Sequence, residues 1–341
     1  MRILVTGGAG FIGSEFVRST LDRYPADEVV VLDKLTYAGN LDNLEPASAS
    51  PRYRFVSGDI DDAALVAEVL DGVDAVVNFA AETHVDRSIL DADAFVRTDV
   101  HGTWVLTEAA RAAGVRRFVQ VSTDEVYGAV SEGASLETDR LDPTSPYSAS
   151  KAGGELLVLA SYKTHRLPAL IVRGANAFGP YQYPEKLIPV HVTNAIDDQP
   201  LPVYGDGQQR RQWTHVSDFV TGVDTVLRSG EQGEIYNVGN PQPESEMPPN
   251  LEVSRRILHL LGKSEGLLEH VVDRPAHDRR YRVDVTKLVG LGWRPRWLFW
   301  DGLEATVRWY VANQSWWRSI KEGKHHQAYY ARNYGDRSVF R

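Results

Sequence analysis

Cysteine is absent from the 341 residues of this chain. Its absence excludes disulfides, thiolate nucleophiles and zinc sites built on thiolates. Long apolar runs are missing too, because no stretch approaches the roughly 18 consecutive apolar residues that a membrane-spanning helix needs. The sequence therefore predicts a protein with neither a disulfide framework nor a membrane span.

Positive charge is also scarce. Lys and Arg number 37 against 46 Asp and Glu, which gives a formal net charge of -9. A nucleic-acid or membrane-surface binder would carry basic patches, and this composition disfavours both. An anionic ligand would have to be held by a few placed cations rather than by overall charge.

The amino terminus shows no pattern of a signal peptide. Met1 and Arg2 lead directly into the β-branched run at 3–5, which reads as a strand of the fold. We therefore expect a cytoplasmic protein. With 43% hydrophobic residues, the chain has the composition of one large globular domain or two interlocked ones.

Short β-branched runs alternate with helical patterns in the first half of the chain, which is typical of βαβ units on a parallel sheet. The predicted strands are residues 3–5, 29–32, 53–56, 75–78, 118–121 and 169–172. The predicted helices are 11–21, 63–70, 93–113 and a helix from about 147 to 162. This pattern predicts an α/β fold with a Rossmann-type, doubly wound parallel sheet.

Beyond residue 173 the alternation breaks down, and proline, tryptophan and basic residues become frequent. We expect a sheet domain at 1–173 and a smaller, partly interleaved α/β domain at 174–341 that covers the carboxyl edge of the sheet. The proline-rich, acidic segment 241–249 is expected to be an exposed loop. Tryptophans are expected to form the core of the smaller domain, namely Trp293, Trp297, Trp300, Trp309, Trp316 and Trp317.

Gly7, Gly10 and Gly13 form a Gly-x-x-Gly-x-x-Gly pattern between the first predicted strand and helix. Such glycines permit a tight turn and a close approach of pyrophosphate to a helix N-terminus. Asp33 ends the second strand, about 20 residues on, where a carboxylate binds ribose hydroxyls and repels a 2'-phosphate. The pattern predicts a dinucleotide site that prefers NAD to NADP, although Lys34 weakens that preference.

Two adjacent carboxylates, Asp124 and Glu125, follow Thr123 at the end of the fifth predicted strand. Ligands bind at the carboxyl ends of strands in open parallel sheets. Neighbouring carboxylates that are partly desolvated repel each other, so their pKa values separate into one acid and one base. The alternative interpretation is a solvated turn.

Tyr147 and Lys151 lie four residues apart in a predicted helix and therefore share one face. A nearby ammonium favours a phenolate, so Lys151 is expected to lower the pKa of Tyr147. With the Thr123 hydroxyl and the acid pair, this pattern indicates redox chemistry coupled to proton transfer. A half-buried packing tyrosine is the alternative.

These motifs together resemble the extended short-chain dehydrogenase/reductases, and within them the dTDP-glucose 4,6-dehydratase family. The resemblance covers nearly the whole chain and is carried by segments 33–40, 80–88, 122–128, 179–189 and 274–278. Its most specific word is Thr123-Asp124-Glu125, because related epimerases and decarboxylases lack the Asp-Glu pair. The resemblance implies a hydro-lyase of deoxysugar biosynthesis that converts dTDP-glucose to dTDP-4-keto-6-deoxyglucose and water, using NAD that is never released.

The resemblance also implies a role for each catalytic residue. Tyr147, held as a phenolate by Lys151, would take the proton of the C4 hydroxyl that Thr123 orients, while hydride passes to NAD. Glu125 would then remove the C5 proton, and Asp124 would protonate the departing C6 hydroxyl. Hydride would return to C6 and a proton to C5.

The resemblance also implies cofactor and substrate contacts at matching positions. For Asp59, a helix cap is an equal alternative. The implied cofactor residues are Gly7, Gly10, Phe11, Ile12, Gly13, Asp33, Lys34, Leu35, Thr36, Asp59, Ile60, Phe79, Ala80, Ala81, Thr98, Tyr147, Lys151 and Ala177. The implied substrate residues are Thr83, Thr123, Asn176, Lys186, Leu187, Pro202, Tyr204, Arg211, Asn237, Arg274 and His277. Arg211 and Arg274 are expected to clamp the diphosphate, with ordinary salt bridges as the alternative. No metal is expected, His84 and His277 are expected to be packed, and Tyr329 or Tyr330 could reach the substrate.

The chain departs from the family pattern at Ala177, Gln212, Ala276 and the longer loop 241–249. These changes leave the reaction type intact and the nucleotide open between dTDP and UDP. A nucleotide-sugar 4-epimerase, a dehydratase of UDP-glucose and a non-catalytic NAD-sensing protein are the alternatives. We also expect a homodimer in which helix 93–113 and the Tyr147 helix pair with their copies.

Overall fold

The structure is a computed structural model that describes residues 1–243 and 246–335. Its strands are β1 (Arg2–Thr6), β2 (Glu28–Asp33), β3 (Tyr53–Ser57), β4 (Ala75–Asn78), β5 (Arg117–Thr123), β6 (Ala169–Gly174), β7 (Ala177–Phe178), β8 (Leu201–Tyr204), β9 (Thr214–His215), β10 (Ile235–Val238) and β11 (Leu268–Val271). Each predicted strand therefore exists, with ends within two residues of the prediction.

The helices connect these strands and cover both faces of the sheet. They are α1 (Phe11–Arg23), α2 (Glu45–Ser48), α3 (Ala63–Val69), α4 (Val85–Leu90), α5 (Asp93–Phe95), α6 (Thr103–Ala113), α7 (Pro146–His165), α8 (Leu187–Ile196), α9 (Val216–Ser229), α10 (Asn250–Leu261), α11 (Thr286–Gly290), α12 (Phe299–Ala312), α13 (Gln314–Glu322) and α14 (Lys324–Tyr330). A π-helical segment, Val96–Gly102, joins α5 to α6, so the predicted helix at 93–113 is continuous but not regular.

Seven parallel strands form the central sheet, in the order β10-β6-β5-β4-β1-β2-β3. The order reverses between β1 and β4, which is the position where open α/β sheets bind ligands. The predicted Rossmann-type, doubly wound α/β fold is confirmed.

Alternation along the strands explains the two layers of helices. In β1, Ile3 and Val5 point into a core that includes α1 and α9, whereas Leu4 points into a second core with α3 and α6. All three side chains are fully buried. A strand buried on both faces reads as a continuous apolar run, which is why these strands were predictable.

Chain segments after residue 173 contribute both to the large sheet and to the structure outside it. Helix α9 packs its apolar face against the sheet, and β10 extends the sheet beside β6. Two small parallel sheets, β8 with β11 and β7 with β9, lie outside the large sheet. A third core brings Phe178, Trp213 and Phe299 together with Trp316 and Trp317.

Two expectations about this region need correction. Trp293 packs into the core of the large sheet, where its indole donates to the Thr221 hydroxyl at 3.1 Å. The loop 241–249 is not exposed throughout, because Met247 is buried and its carbonyl accepts a hydrogen bond from Arg210. Positions 244 and 245 of that loop lie outside the described residues.

None of the helices in 1–243 and 246–335 combines the length and apolar character needed to cross a membrane.

Candidate active site

A cavity lies at the carboxyl edge of the sheet, where β1, β2, β4, β5 and β6 end. Gly7, Asp33 and Ala80 line one part of it, and Lys186 and Tyr204 line another. The sheet supplies one wall, and the segments around α8 and β8 supply the other. The cavity thus joins the predicted cofactor residues to the predicted substrate residues.

The loop between β1 and α1 has a shape that only glycine permits. Gly7 has a φ of +66°, and a Cβ atom there would lie 2.6 Å from the backbone nitrogen of Ala80. A Cβ atom at Gly13 would collide with the Gly7 carbonyl. The backbone therefore presents an open cradle at the N-terminus of α1, which fits the pyrophosphate of a dinucleotide.

Asp33 ties the end of β2 to this loop. Its carboxylate accepts hydrogen bonds from the backbone N–H groups of Ala9 at 2.9 Å and Leu35 at 2.8 Å. Burial raises the pKa of Asp33, and these two donors oppose that effect. A carboxylate fixed at this place fits the ribose hydroxyls of the adenosine half.

Lys34 does not oppose this preference as the sequence implied. Its ammonium lies 3.4 Å from Asp59 and 3.3 Å from Glu82, and it donates to the Thr98 hydroxyl at 3.0 Å. Two carboxylates thus offset its single charge, and Asp33 adds a further negative charge. A 2'-phosphate would meet net repulsion here, which favours NAD over NADP.

Asp124 and Glu125 begin a 3-10 turn, Asp124–Tyr127, directly after β5. The Thr123 hydroxyl accepts a hydrogen bond from the Glu125 N–H and donates one to Asp124, both at 3.2 Å. Burial, and then the charge of Glu125, raise the pKa of Asp124 to about 8. Asp124 is therefore protonated at neutral pH, which suits a general acid.

Helix α7 places Tyr147 in its first turn, beside this acid pair. The helix begins with a reciprocal cap between Ser145 and Ser148. Lys151 is 5% exposed, and its ammonium donates to the Val121 carbonyl at 2.9 Å. The hydrogen bond to Val121 fixes the Lys151 side chain against the end of β5.

The expectation of a lowered pKa for Tyr147 beside Lys151 is wrong. Burial, followed by the charges of Glu125 and Asp99, raises the pKa of Tyr147 well above its usual value. Burial also lowers the pKa of Lys151. Spacing on a helix could not reveal this, because the opposing carboxylates come from other elements.

Three cations, Lys186, Arg211 and Arg274, line the opposite wall of the cavity and differ in their ion-pair and hydrogen-bond partners. Arg274 pairs with Asp86 at 2.9 Å, so the salt-bridge alternative holds for it. Arg211 donates to the Asp278 carbonyl at 3.0 Å. Within the described residues, neither Arg211 nor Lys186 has a carboxylate oxygen within 4.0 Å. Their positive charges are therefore available to an anionic ligand.

A buried cluster fixes the segment that carries Lys186. The Arg87 guanidinium lies 3.6 Å from the ring centre of Tyr37 and 3.9 Å from that of Tyr329. It pairs with Glu185 at 2.9 Å. His84 donates from Nε2 to the Glu185 carbonyl at 3.1 Å, and burial lowers its pKa to about 4. His84 is thus a neutral, packed histidine, as expected.

Of the predicted site residues, all but Leu35 and Asn237 line the cavity. Those brought together are Gly7, Gly10, Phe11, Ile12, Gly13, Asp33, Lys34, Thr36, Asp59, Ile60, Phe79, Ala80, Ala81, Thr83, Thr98, Thr123, Asp124, Glu125, Tyr147, Lys151, Asn176, Ala177, Lys186, Leu187, Pro202, Tyr204, Arg211, Arg274 and His277. Leu35 instead packs against the core of the sheet. Asn237 is fully buried in β10, where its amide donates to the carbonyls of Ser135 and Asp284, both at 3.1 Å.

The cavity-lining residues that sequence reasoning missed include Asn250 and Tyr334. The Asn250 side-chain oxygen is buried without a hydrogen-bond partner among the described residues. The signal for it was a polar residue directly after Pro249, at the start of an apolar helical pattern. Tyr334 takes the place expected for Tyr329 or Tyr330, which do not line the cavity. Among the described residues, no group of three or more His, Cys, Asp or Glu side chains could hold a metal ion.

The departures from the family pattern lie in different surroundings. Ala177 lines the cavity, and its carbonyl accepts from Gln182 at 3.0 Å. Gln212 is buried and bonds to the backbone of Asn240 and Val283. Ala276 has a φ of 49°, a left-handed conformation that glycine adopts at lower cost.

Comparisons with known proteins agree with this geometry. A family model described as GDP-mannose 4,6 dehydratase matches residues 4–306. The chain is 53% identical over 326 residues to a dTDP-glucose 4,6-dehydratase from Streptomyces niveus, covering 94% of this chain and 96% of that protein. It superposes with a TM-score of 0.91 on DesIV, a dTDP-glucose 4,6-dehydratase from Streptomyces venezuelae solved with NAD and TDP. That pair is 52% identical, covering 94% of this chain and 100% of DesIV. The enzyme from Bacillus anthracis, solved with NAD, is 44% identical, with a TM-score of 0.87 and coverage of 94% and 100%.

Proposed function

The chain belongs to the GDP-mannose 4,6 dehydratase family, and on that premise we propose that it is a dTDP-glucose 4,6-dehydratase working with tightly bound NAD in deoxysugar biosynthesis. The observation that carries the proposal is Asp124, a buried carboxyl held protonated beside Glu125 and Thr123. A 4-epimerase needs no such pair, since it only removes and returns hydride at C4. Elimination of water needs an acid and a base together.

The proposed cycle assigns a role to each catalytic residue. NAD held by the glycine cradle and Asp33 would supply the hydride acceptor for C4 and the hydride donor for C6. Thr123 orients the C4 hydroxyl, and Tyr147 takes its proton. The resulting ketone acidifies C5, whose proton passes to Glu125.

Asp124 then donates its proton to the C6 hydroxyl, which leaves as water. Glu125 returns a proton to C5 and so restores both itself and the saturated carbon. Lys151 holds its charge near the C4 hydroxyl throughout, while the glycine cradle and Asp33 hold NAD. The substrate loses one water and NAD ends in its starting state. Tyr147 ends with one extra proton and Asp124 with one fewer, so transfer of one proton from Tyr147 to Asp124 through solvent completes the balance.

The nucleotide end of the substrate is assigned to the opposite wall. Arg211 and Lys186 carry positive charge, and no carboxylate in the part of the chain that the structure describes lies within 4.0 Å of them, which suits a diphosphate. Asn250 adds to the same cavity a side-chain oxygen that has no hydrogen-bond partner among residues 1–243 and 246–335. We assign dTDP as the nucleotide because DesIV, 52% identical, was solved with TDP.

A comparison of nucleotide sugars tests this function. We expect the purified enzyme to convert dTDP-glucose to a 4-keto-6-deoxy product, with kcat/KM at least about tenfold above that for UDP-glucose. Product mass and proton NMR identify the sugar. A preference for UDP-glucose would contradict the nucleotide assignment, and recovery of a galactose nucleotide would contradict the reaction.

The pH dependence follows from the pKa of Asp124. This carboxyl must be protonated to act as an acid, and its pKa of about 8 means that it loses the proton as pH rises through that value. We therefore expect kcat/KM to fall on the alkaline side of about pH 8, by about tenfold per unit. A kcat/KM that stays level to pH 10 would contradict the role of Asp124.

We further propose the division of the chain into an NAD-binding domain at 1–173 and a mainly substrate-binding domain at 174–341. The cofactor residues come almost entirely from the first part and the nucleotide residues from the second. The return of α9 and β10 to the sheet interleaves the two.

We also propose a cytoplasmic location, since NAD and nucleotide sugars are made there.

A homodimer is proposed from a face of the molecule that exposes large apolar side chains. Val96 is 55% exposed, Trp104 47% and Leu156 53%, and they belong to two adjacent elements, the helical stretch 93–113 and α7. Clustered apolar exposure of this kind marks interfaces.

We expect Leu156→Glu to shift the protein from dimer to monomer in sedimentation at micromolar concentration, because it places a charge in the apolar contact. Leu298→Glu is the matched control, since Leu298 is 60% exposed but lies at the start of α12. A wild-type monomer would refute the dimer.

A further inference from the structure

Tyr127 closes the turn that carries Asp124 and Glu125. It is 7% exposed and does not line the cavity, so it cannot touch the substrate. Its hydroxyl donates to the Asn237 side-chain oxygen and accepts from the Arg173 guanidinium, both at 2.8 Å. These two hydrogen bonds therefore connect the turn to β10 and β6.

The same network reaches the helix that carries Tyr147 and Lys151. Arg173 is 3% exposed and forms an ion pair at 2.5 Å with Glu155, which is fully buried in α7. Glu155 lies four residues after Lys151, one helical turn away. One buried network thus connects the acid–base turn after β5 to the helix with the tyrosine and lysine.

We propose that Tyr127, Asn237 and Arg173 are positioning residues that hold the Asp124–Glu125 turn in register with α7. The inference rests on the proposed function, because it assigns the network to the elimination of water. Proton transfer requires donor and acceptor within hydrogen-bond reach of the substrate, and an error of about 1 Å can cost about 10²-fold in rate. The network acts through the turn, so it affects turnover rather than substrate binding.

The family resemblance implies that Asn237 binds substrate, and that role predicts the opposite kinetic effect of truncating it. A residue that binds the nucleotide sugar raises KM when it is truncated. The structure places Asn237 outside the cavity, with its side-chain oxygen on the Tyr127 hydroxyl. For Asn237→Ala we therefore expect kcat to fall about tenfold or more with KM within about twofold. A raised KM with unchanged kcat would overturn the proposal.

Tyr127→Phe tests the hydroxyl directly, and Tyr236→Phe is its matched control. Tyr236 is 3% exposed on the same strand as Asn237, and its hydroxyl accepts from the Glu231 N–H at 2.9 Å. Both variants lose one buried hydroxyl and are expected to melt at slightly lower temperature. Only Tyr127→Phe is expected to lower kcat, by about 10- to 100-fold.

The pH profile adds a readout that loss of stability would not move. A loosened turn admits water to Asp124, so the alkaline limb of Tyr127→Phe is expected to start at lower pH than in the wild type. Equal kcat in the two tyrosine variants, or an unmoved alkaline limb in Tyr127→Phe, would overturn the proposal. Inactivity of the wild-type enzyme on dTDP-glucose would instead contradict the proposed function, so the two failures are distinguishable.

Discussion

Replacing Asp124 by asparagine is expected to lower kcat with dTDP-glucose by about 10²- to 10⁴-fold, the usual range for losing a general acid. An amide has the shape of the protonated carboxyl but cannot give up a proton at neutral pH. The departing C6 hydroxyl would then leave as a poor leaving group. KM should change little, because the two side chains occupy the same buried space.

This variant should still catalyse the steps before water leaves. In deuterated water we expect dTDP-glucose recovered from Asp124→Asn to carry deuterium at C5, since Glu125 remains able to exchange that proton. Glu125→Gln is the matched comparison and should show no such exchange. Full dehydratase activity in Asp124→Asn would show that some other group supplies the proton.

Tyr147→Phe is expected to reduce kcat by a similar factor, about 10²- to 10⁴-fold, for a different reason. Without the phenol hydroxyl, the C4 hydroxyl has no group to take its proton, and the ketone that acidifies C5 does not form. Recovered dTDP-glucose should therefore contain no deuterium at C5. The contrast with Asp124→Asn separates the oxidation from the elimination.

The control for this variant is Tyr236→Phe, which also removes a buried tyrosine hydroxyl. It should retain near wild-type turnover. C5 exchange in Tyr147→Phe equal to that of the wild type would mean that oxidation at C4 does not depend on Tyr147.

The fold and the family could be predicted because their signals are local. Residues 3–5 and 29–32 are continuous apolar runs, and buried parallel strands produce such runs whatever the rest of the chain does. The glycine pattern is equally local, since Gly7, Gly10 and Gly13 follow one another at three-residue spacing between β1 and α1. The family model and the relatives confirm the resemblance drawn from these words and from Thr123-Asp124-Glu125.

What the sequence could not predict depends on contacts between distant residues. Asn237 and Tyr127 are 110 residues apart, and the Arg274–Asp86 pair is separated by 188. The raised pKa of Tyr147 likewise comes from its burial and then from carboxylates on other elements. Position within a motif indicates that a residue matters, but only the packed structure shows what it touches.

Incubation of the purified enzyme with dTDP-glucose in deuterated water tests the central claim most directly. We predict a dTDP-4-keto-6-deoxyglucose with one solvent deuterium at C5 and none at C6, because the hydrogen at C6 comes from C4 while Glu125 exchanges its proton with solvent. Mass spectrometry and proton NMR report both positions. A product that keeps the C6 hydroxyl, or one without deuterium at C5, would contradict the assignment of Asp124 and Glu125 as the acid and the base.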